Sequence, residues 1–149
     1  MRNAIQRALL IGLAAAVGTG AGAQAPVPIS VYKSATCGCC AKWVEHLRAS
    51  GFAPTATNVE NITTVKTKYH VPNAVQSCHT ALVGGYVIEG HVPASDIRRL
   101  LKERPAISGL AVGGMPAGSP GMEGPPPQRY DVRSFDTQGT TRVYATHGD

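Results

Sequence analysis

The sequence is poor in aromatic and charged residues, which make up only 5% and 15% of its 149 positions. So few aromatic side chains provide no stripe on which nucleic-acid bases could stack. The formal net charge of +5 is mild, and the basic residues are scattered rather than clustered. We therefore expect no nucleic-acid partner.

The chain also lacks a long hydrophobic segment. A transmembrane helix needs about 20 mostly apolar residues; the apolar run Ala8–Val17 is roughly half that length, and no later segment qualifies. A basic stretch precedes this run, and the Ala-Gln-Ala of residues 23–25 fits a small-x-small cleavage site. These features predict a signal peptide at 1–25, periplasmic export and one mature domain at 26–149 without stable membrane insertion. An uncleaved membrane anchor is the alternative.

Common catalytic motifs are missing as well: the sequence contains no Ser-His-Asp arrangement, no P-loop and no Rossmann glycine pattern. Hydrophobic periodicity instead predicts alternating strands and helices, which form a sheet covered by helices. The Gly- and Pro-rich stretch 109–127 predicts an extended loop. The predicted elements are strands at 29–33 and 55–59, helices at 40–48, 63–69 and 95–104, a hairpin of 80–83 and 86–89, and terminal strands at 130–135 and 141–145.

Three of the four cysteines lie in Cys37-Gly-Cys39-Cys40, between the first strand and the first helix. A helix N-terminus carries a partial positive charge, which stabilises the thiolate form of cysteine. Cys37 and Cys40 form a C-x-x-C, the spacing of thioredoxin-like redox sites and of many metal sites. The third thiol would offer a redox enzyme competing disulfides, whereas it suits a soft cation. In an oxidising compartment, two structural disulfides are the simpler alternative.

The fourth cysteine precedes the third predicted strand, in Cys78-His79-Thr80. In a thioredoxin-like fold this segment packs against the C-x-x-C, and a cis-proline usually occupies the place of His79. Cys37, Cys40, Cys78 and His79 would together offer donors suited to copper(I) or zinc(II). Two alternatives remain open, a disulfide from Cys78 to one of the first three cysteines and a hydrogen-bonded or surface imidazole at His79.

Further candidates follow the hairpin. His91 could approach the same end of the sheet or cap a loop. Met115 and Met122 offer soft thioether sulfurs, although methionine is also a general gap-filler. We expect His46 and His70, on predicted helices, to be solvated.

The motifs in combination resemble the bacterial family labelled domain of unknown function 411, over roughly 29–144. This resemblance implies a thioredoxin-like, periplasmic metal-binding protein associated with copper handling. The predicted fold class is α/β, a thioredoxin-like sheet flanked by helices, with a Gly/Pro/Met loop and a C-terminal strand pair. The motifs that carry the resemblance are Cys37-Gly-Cys-Cys40, Ser77-Cys78-His79-Thr80, Gly90-His91-Val92-Pro93 and the Gly113–Glu123 segment.

The sequence therefore predicts a soft-metal binding protein rather than an enzyme. The expected ion is copper(I), with zinc and silver as alternatives, and the expected role is copper sequestration, delivery or resistance. The expected protein partner is a periplasmic copper-transfer or efflux protein. A thiol–disulfide oxidoreductase, with Cys37 as nucleophile and Cys40 as resolving thiol, is the second hypothesis. The predicted metal-site residues are Cys37, Cys39, Cys40, Cys78, His79, His91, Met115 and Met122.

Overall fold

The computed structural model describes residues 25–148, and the predicted signal peptide lies outside this range except for Ala25. The described residues form a mixed seven-stranded sheet with three α-helices. This confirms the α/β class. In chain order the elements are β1 Val27–Lys33, α1 Gly38–Ala49, β2 Phe52–Asn58, α2 Ile62–Lys68, β3 His79–Val83, β4 Tyr86–Gly90, α3 Ala94–Glu103, β5 Gly109–Val112, β6 Tyr130–Phe135 and β7 Thr141–His147, with a 3-10 turn at Asn73–Val75 between α2 and β3.

The first unit runs from β1 through α1 to β2, and the two strands pair in parallel. The Cys37 sulfur atom caps α1 by accepting a hydrogen bond from the Cys40 backbone N–H at 3.3 Å. Trp43 and Leu47, four residues apart, lie on the buried face of the helix. Gly51 follows the helix with a φ of +78°, a conformation that glycine adopts without strain. The helix therefore places its cysteine-bearing end beside the end of β1.

The strand order in the sheet is β2-β1-β3-β4-β5-β6-β7. Strands β3 and β4 form the predicted hairpin, whose turn is built by Gly84 and Gly85 with φ values of +55° and +90°. Because β3 runs antiparallel to β1, Lys33 at the end of β1 pairs with His79 at the start of β3. The end of β1, the start of β3 and the end of β4 therefore lie side by side at the same end of these central strands.

The prediction that 109–127 is entirely loop was wrong at its beginning. Residues Gly109–Val112 form β5, which is buried along its whole length and pairs in parallel with β4 and antiparallel with β6. A Cβ on Gly109 would collide with the Val87 carbonyl oxygen, so the close strand approach requires glycine. Tertiary pairing overrode the local propensity, and β5 joins the predicted C-terminal strand pair, β6 and β7, to the sheet.

The hydrophobic core lies between the sheet and helices α1 and α3. Its largest fully buried side chains include Trp43, Leu47, Ile97, Leu100 and Leu110. None of the helices within residues 25–148 combines the length and the apolar character that crossing a bilayer requires.

Candidate metal centre

Four cysteines converge at the edge of the sheet where α1 begins. The sulfur atoms of Cys37, Cys39, Cys40 and Cys78 all lie within 4.8 Å of one another. The Sγ atoms of Cys37 and Cys39 lie 3.5 Å apart, and the Cys40 sulfur lies 3.9 Å from the Cys78 carbonyl oxygen. Two segments separated by 38 residues therefore meet in one pocket.

Two of these cysteines are joined. Cys37 and Cys40 form a disulfide with a Cα–Cα distance of 5.4 Å, while Cys39 and Cys78 are free, half-buried thiols. The alternative of two structural disulfides is therefore not the arrangement found. All four sulfurs can serve as thiolate donors only after the Cys37–Cys40 disulfide is reduced.

Two histidines extend the sulfur cluster inward. Cys78 Sγ lies 3.3 Å from His79 Nδ1 and 3.1 Å from His91 Nε2, and both rings are fully buried. His91 Nδ1 lies 2.7 Å from the Pro120 carbonyl oxygen. Because a carbonyl only accepts, Nδ1 carries the proton and Nε2 presents its lone pair to Cys78. His91 thus contacts the loop, as one alternative expected, and also reaches the cluster.

The electrostatic environment favours neutral groups in this pocket. Burial lowers the pKa of His79 to about 3, assisted by the nearby His91 and Lys66. Burial also lowers the pKa of His91, against the opposing effects of the Pro120 carbonyl and Glu123. Burial and the neighbouring Cys39 raise the pKa of Cys78 to about 11. Both imidazoles therefore stay in the form that binds metals, whereas Cys78 would have to release a proton on binding.

The Gly/Pro/Met loop covers the cluster. The Met115 sulfur lies 3.8 Å from Cys39 Sγ, although the side chain is 52% exposed. Gly121 packs so tightly on the start of α1 that a Cβ there would lie 2.7 Å from the Cys39 carbonyl oxygen. Met122 contacts its own loop through backbone hydrogen bonds to Gly118 and Ser119. Within residues 25–148, no hydrogen bond joins the Met122 sulfur to the cysteines, so its role stays a prediction.

Sequence reasoning missed three residues that support the pocket. Trp43 packs on His79 with 4.3 Å between ring centroids, and its indole N–H donates to the Val92 carbonyl. Lys66 and Glu89 form a buried ion pair beneath the start of β3. The one signal available was an acidic residue inside the otherwise apolar strand β4.

The other three histidines lie outside the cluster, and His147 of β7 instead contacts Asp96 of α3. His70 is exposed, as predicted. His46 is half-buried instead, because its Nε2 accepts a hydrogen bond from the Ala94 backbone N–H at the start of α3.

The donor set suits a soft metal ion. Thiolates and thioethers favour soft ions such as copper(I), and thiolates with neutral imidazoles also suit zinc. The two groups of three or more candidate ligands found within residues 25–148 share Cys78: the four cysteines, and Cys78 with His79 and His91. The residues present thus fit a soft cation without a carboxylate ligand.

Comparison with known proteins agrees with this picture. Two solved structures, titled "Copper resistance protein copG- Form 2" and "Copper resistance protein copG- Form 1", each share 42% sequence identity with this chain at a TM-score of 0.78. The matches cover 82% and 83% of this chain and 98% and 99% of the respective solved chains. No curated protein matches. The family model described as "Protein of unknown function, DUF411" matches residues 75–122, and the resemblance seen in the sequence is thereby confirmed: the chain belongs to the DUF411 family.

Proposed function

We propose that this protein binds copper(I) as cargo, in the periplasm, and that it sequesters the ion or delivers it to a partner protein. The observation that carries the proposal is the convergence of four cysteine sulfurs within 4.8 Å of one another. The similarity to two structures titled copper resistance proteins supports copper over zinc or silver. The signal peptide predicted at 1–25 supports the periplasmic location.

Once the disulfide is reduced, Cys37, Cys39, Cys40 and Cys78 would offer four thiolates, of which two or three would bind the ion at a time. His79 and His91 would complete the inner side of the site, because burial keeps both rings neutral. The thioethers of Met115 and Met122 would act from the loop. A thioether donor binds without losing a proton, which suits an open, exposed side.

We further propose that the fold is thioredoxin-like. The C-x-x-C lies at the start of the helix after the first strand, and the segment before β3 packs against it. His79 occupies the position where thioredoxins usually carry proline. Proline has no side-chain atom that can bind a metal, whereas the imidazole of His79 has one and contacts Cys78. This difference favours metal binding over substrate-peptide binding.

Exchange with a partner requires an accessible side of the site. Cys37 and Cys39 are half-buried, and Met115 is exposed next to Cys39. Copper(I) accepts two or three thiolate ligands, so an incoming thiolate could replace these outer donors one at a time while the inner donors hold the ion. The expected partner is a copper-transfer or efflux protein.

The test is copper(I) binding by the reduced protein under anaerobic conditions, measured by competition with a chromophoric chelator. The Cys37→Ser, Cys40→Ser double variant should lose most of the affinity. The His70→Asn variant is the matched control, since it replaces an exposed histidine outside the cluster by a residue that tolerates its positive φ of 54°. Unchanged affinity in the cysteine variant would reject the proposal.

A second candidate function is supported by the disulfide itself. The Cys39 thiol lies 3.5 Å from the sulfur of Cys37, which is bonded to Cys40. Attack by a Cys39 thiolate on Cys37 would form a Cys37–Cys39 bond and release Cys40 as a thiolate, which is a thiol–disulfide exchange. Reduction of insulin by the metal-free protein with dithiothreitol as the electron source, compared with the Cys39→Ser variant under the same conditions, tests this oxidoreductase hypothesis. Absence of turnover would leave copper binding as the function.

A further inference from the structure

A buried ion pair contacts the two residues that flank Cys78 and His79. Lys66 Nζ from α2 lies 2.5 Å from Glu89 Oε1 of β4, and their side chains are 4% and 0% exposed. Burying two charges costs about as much as their attraction returns, so such a pair is weak support for stability alone. Its place in the fold points to another role.

The Glu89 carboxylate uses both oxygens. Oε1 accepts a hydrogen bond from the Ser77 backbone N–H at 2.6 Å, in addition to the Lys66 ammonium. Oε2 accepts from the Thr80 hydroxyl at 2.7 Å, and that hydroxyl in turn accepts from Lys66 at 3.1 Å. The carboxylate is thereby fixed by three donors, and the ammonium is fixed by two acceptors.

The two residues that Glu89 holds flank the dipeptide Cys78-His79. Ser77 precedes the dipeptide and Thr80 follows it, so the carboxylate spans the backbone that carries both side chains. Glu89 and Thr80 are also register partners across β3 and β4. Two residues after Glu89, His91 reaches Cys78 from the end of β4.

We propose that Glu89, anchored by Lys66, is a positioning residue that clamps Ser77 and Thr80 and so aims Cys78 and His79 at the cysteines of α1. This proposal rests on the proposed function, in which Cys78 and His79 are metal donors. It acts through hydrogen bonds to the flanking residues and does not touch the ion. Loss of groups that orient metal ligands typically lowers metal affinity about 10- to 100-fold.

Two double variants separate positioning from charge and from stability. Lys66→Met with Glu89→Leu removes the charges and both clamping hydrogen bonds, and apolar replacement of a buried ion pair often leaves stability intact. Lys66→Met with Glu89→Gln also removes the charges, but its amide can still accept from Ser77 and pair with Thr80. The two double variants therefore differ in whether residue 89 can still form hydrogen bonds to Ser77 and Thr80.

The first readout is copper(I) affinity of the reduced protein, at a temperature where circular dichroism shows each variant to be fully folded. We expect the Leu double variant to bind about 10- to 100-fold more weakly than wild type, with the Gln double variant restoring most of the loss. Asp96→Asn, which removes the carboxylate charge that the buried Asp96 of α3 presents to the partly exposed His147 of β7, is the control and should bind like wild type. Equal affinity in the two double variants would overturn the clamp.

The second readout needs no metal. In the disulfide-containing protein, Cys39 and Cys78 are the free thiols among the described residues, and their alkylation rates can be measured by peptide mass spectrometry. The Leu double variant should accelerate alkylation of Cys78 and leave that of Cys39 unchanged. An unaltered Cys78 rate would overturn the clamp, whereas a wild-type protein that binds no copper(I) would reject the proposed function alone.

If the double variants do not fold, the Thr80 hydroxyl offers a milder perturbation. Thr80→Val removes the donor to Glu89 at nearly constant volume, and Thr80→Ser retains it. Faster Cys78 alkylation in the Val variant than in the Ser variant is expected, and equal rates would contradict the proposal.

Discussion

Replacing Gly121 by alanine tests how tightly the loop is bound to the candidate metal centre. At this position φ is +88°, and an added Cβ would lie 2.7 Å from the Cys39 carbonyl oxygen and 2.9 Å from the Trp43 backbone nitrogen. Both atoms belong to the backbone of α1, so neither can rotate away. The strain of a positive φ costs about 1–2 kcal/mol, and forced overpacking costs about 1–3 kcal/mol more. Gly121→Ala should therefore lower the free energy of unfolding by about 2–5 kcal/mol.

Gly114→Ala is the matched control. Gly114 belongs to the same loop and has a φ of +69°, but nothing lies within 4 Å of its added Cβ. This control should therefore lose only the backbone strain, about 1–2 kcal/mol. The difference between the two variants isolates the contact between the loop and α1.

The assay is urea unfolding of the metal-free, disulfide-containing protein. Its single tryptophan, Trp43, is fully buried at this contact, so its fluorescence reports the transition directly. Equal losses of unfolding free energy in the two alanine variants would refute the reasoning, because they would show that the loop does not press on the helix.

Two further predictions concern acid and the methionines. Burial lowers the pKa of His79 to about 3, whereas an unfolded chain has a histidine pKa of about 6.5. The folding stability that depends on the neutral ring is therefore fully present above about pH 6.5 and is lost as the pH falls toward 3. About 2 kcal/mol should be lost by pH 5, and His79→Phe, which keeps a ring against Trp43 but binds no proton, should flatten this part of the slope in urea titrations. An unchanged slope would contradict the assignment. Met115→Ala should weaken copper(I) binding more than Met122→Ala in chelator competition, because the Met115 sulfur lies 3.8 Å from Cys39 Sγ; the opposite order would contradict the loop geometry.

Most of the secondary structure was predictable because it follows local patterns. The spacing of apolar residues in α1, the Gly84-Gly85 turn and the alternation of apolar and polar residues in β6 all depend on residues that are close together in the sequence. The strand β5 was not predictable in this way, since its Gly109 reads as a loop residue. It becomes a strand only because β4 and β6 supply partners on both sides.

The sequence by itself determined which chemistry is available: three thiols in one tetrad, a fourth beside a histidine, and thioether sulfurs in a glycine-rich loop. Only the tertiary structure decided which of these groups meet. The contact of His91 with Cys78, the packing of Gly121 on α1 and the Lys66–Glu89 pair all join residues far apart along the chain. Local propensity carries no information on such contacts, because they arise from strand order and register, which the whole sheet sets together.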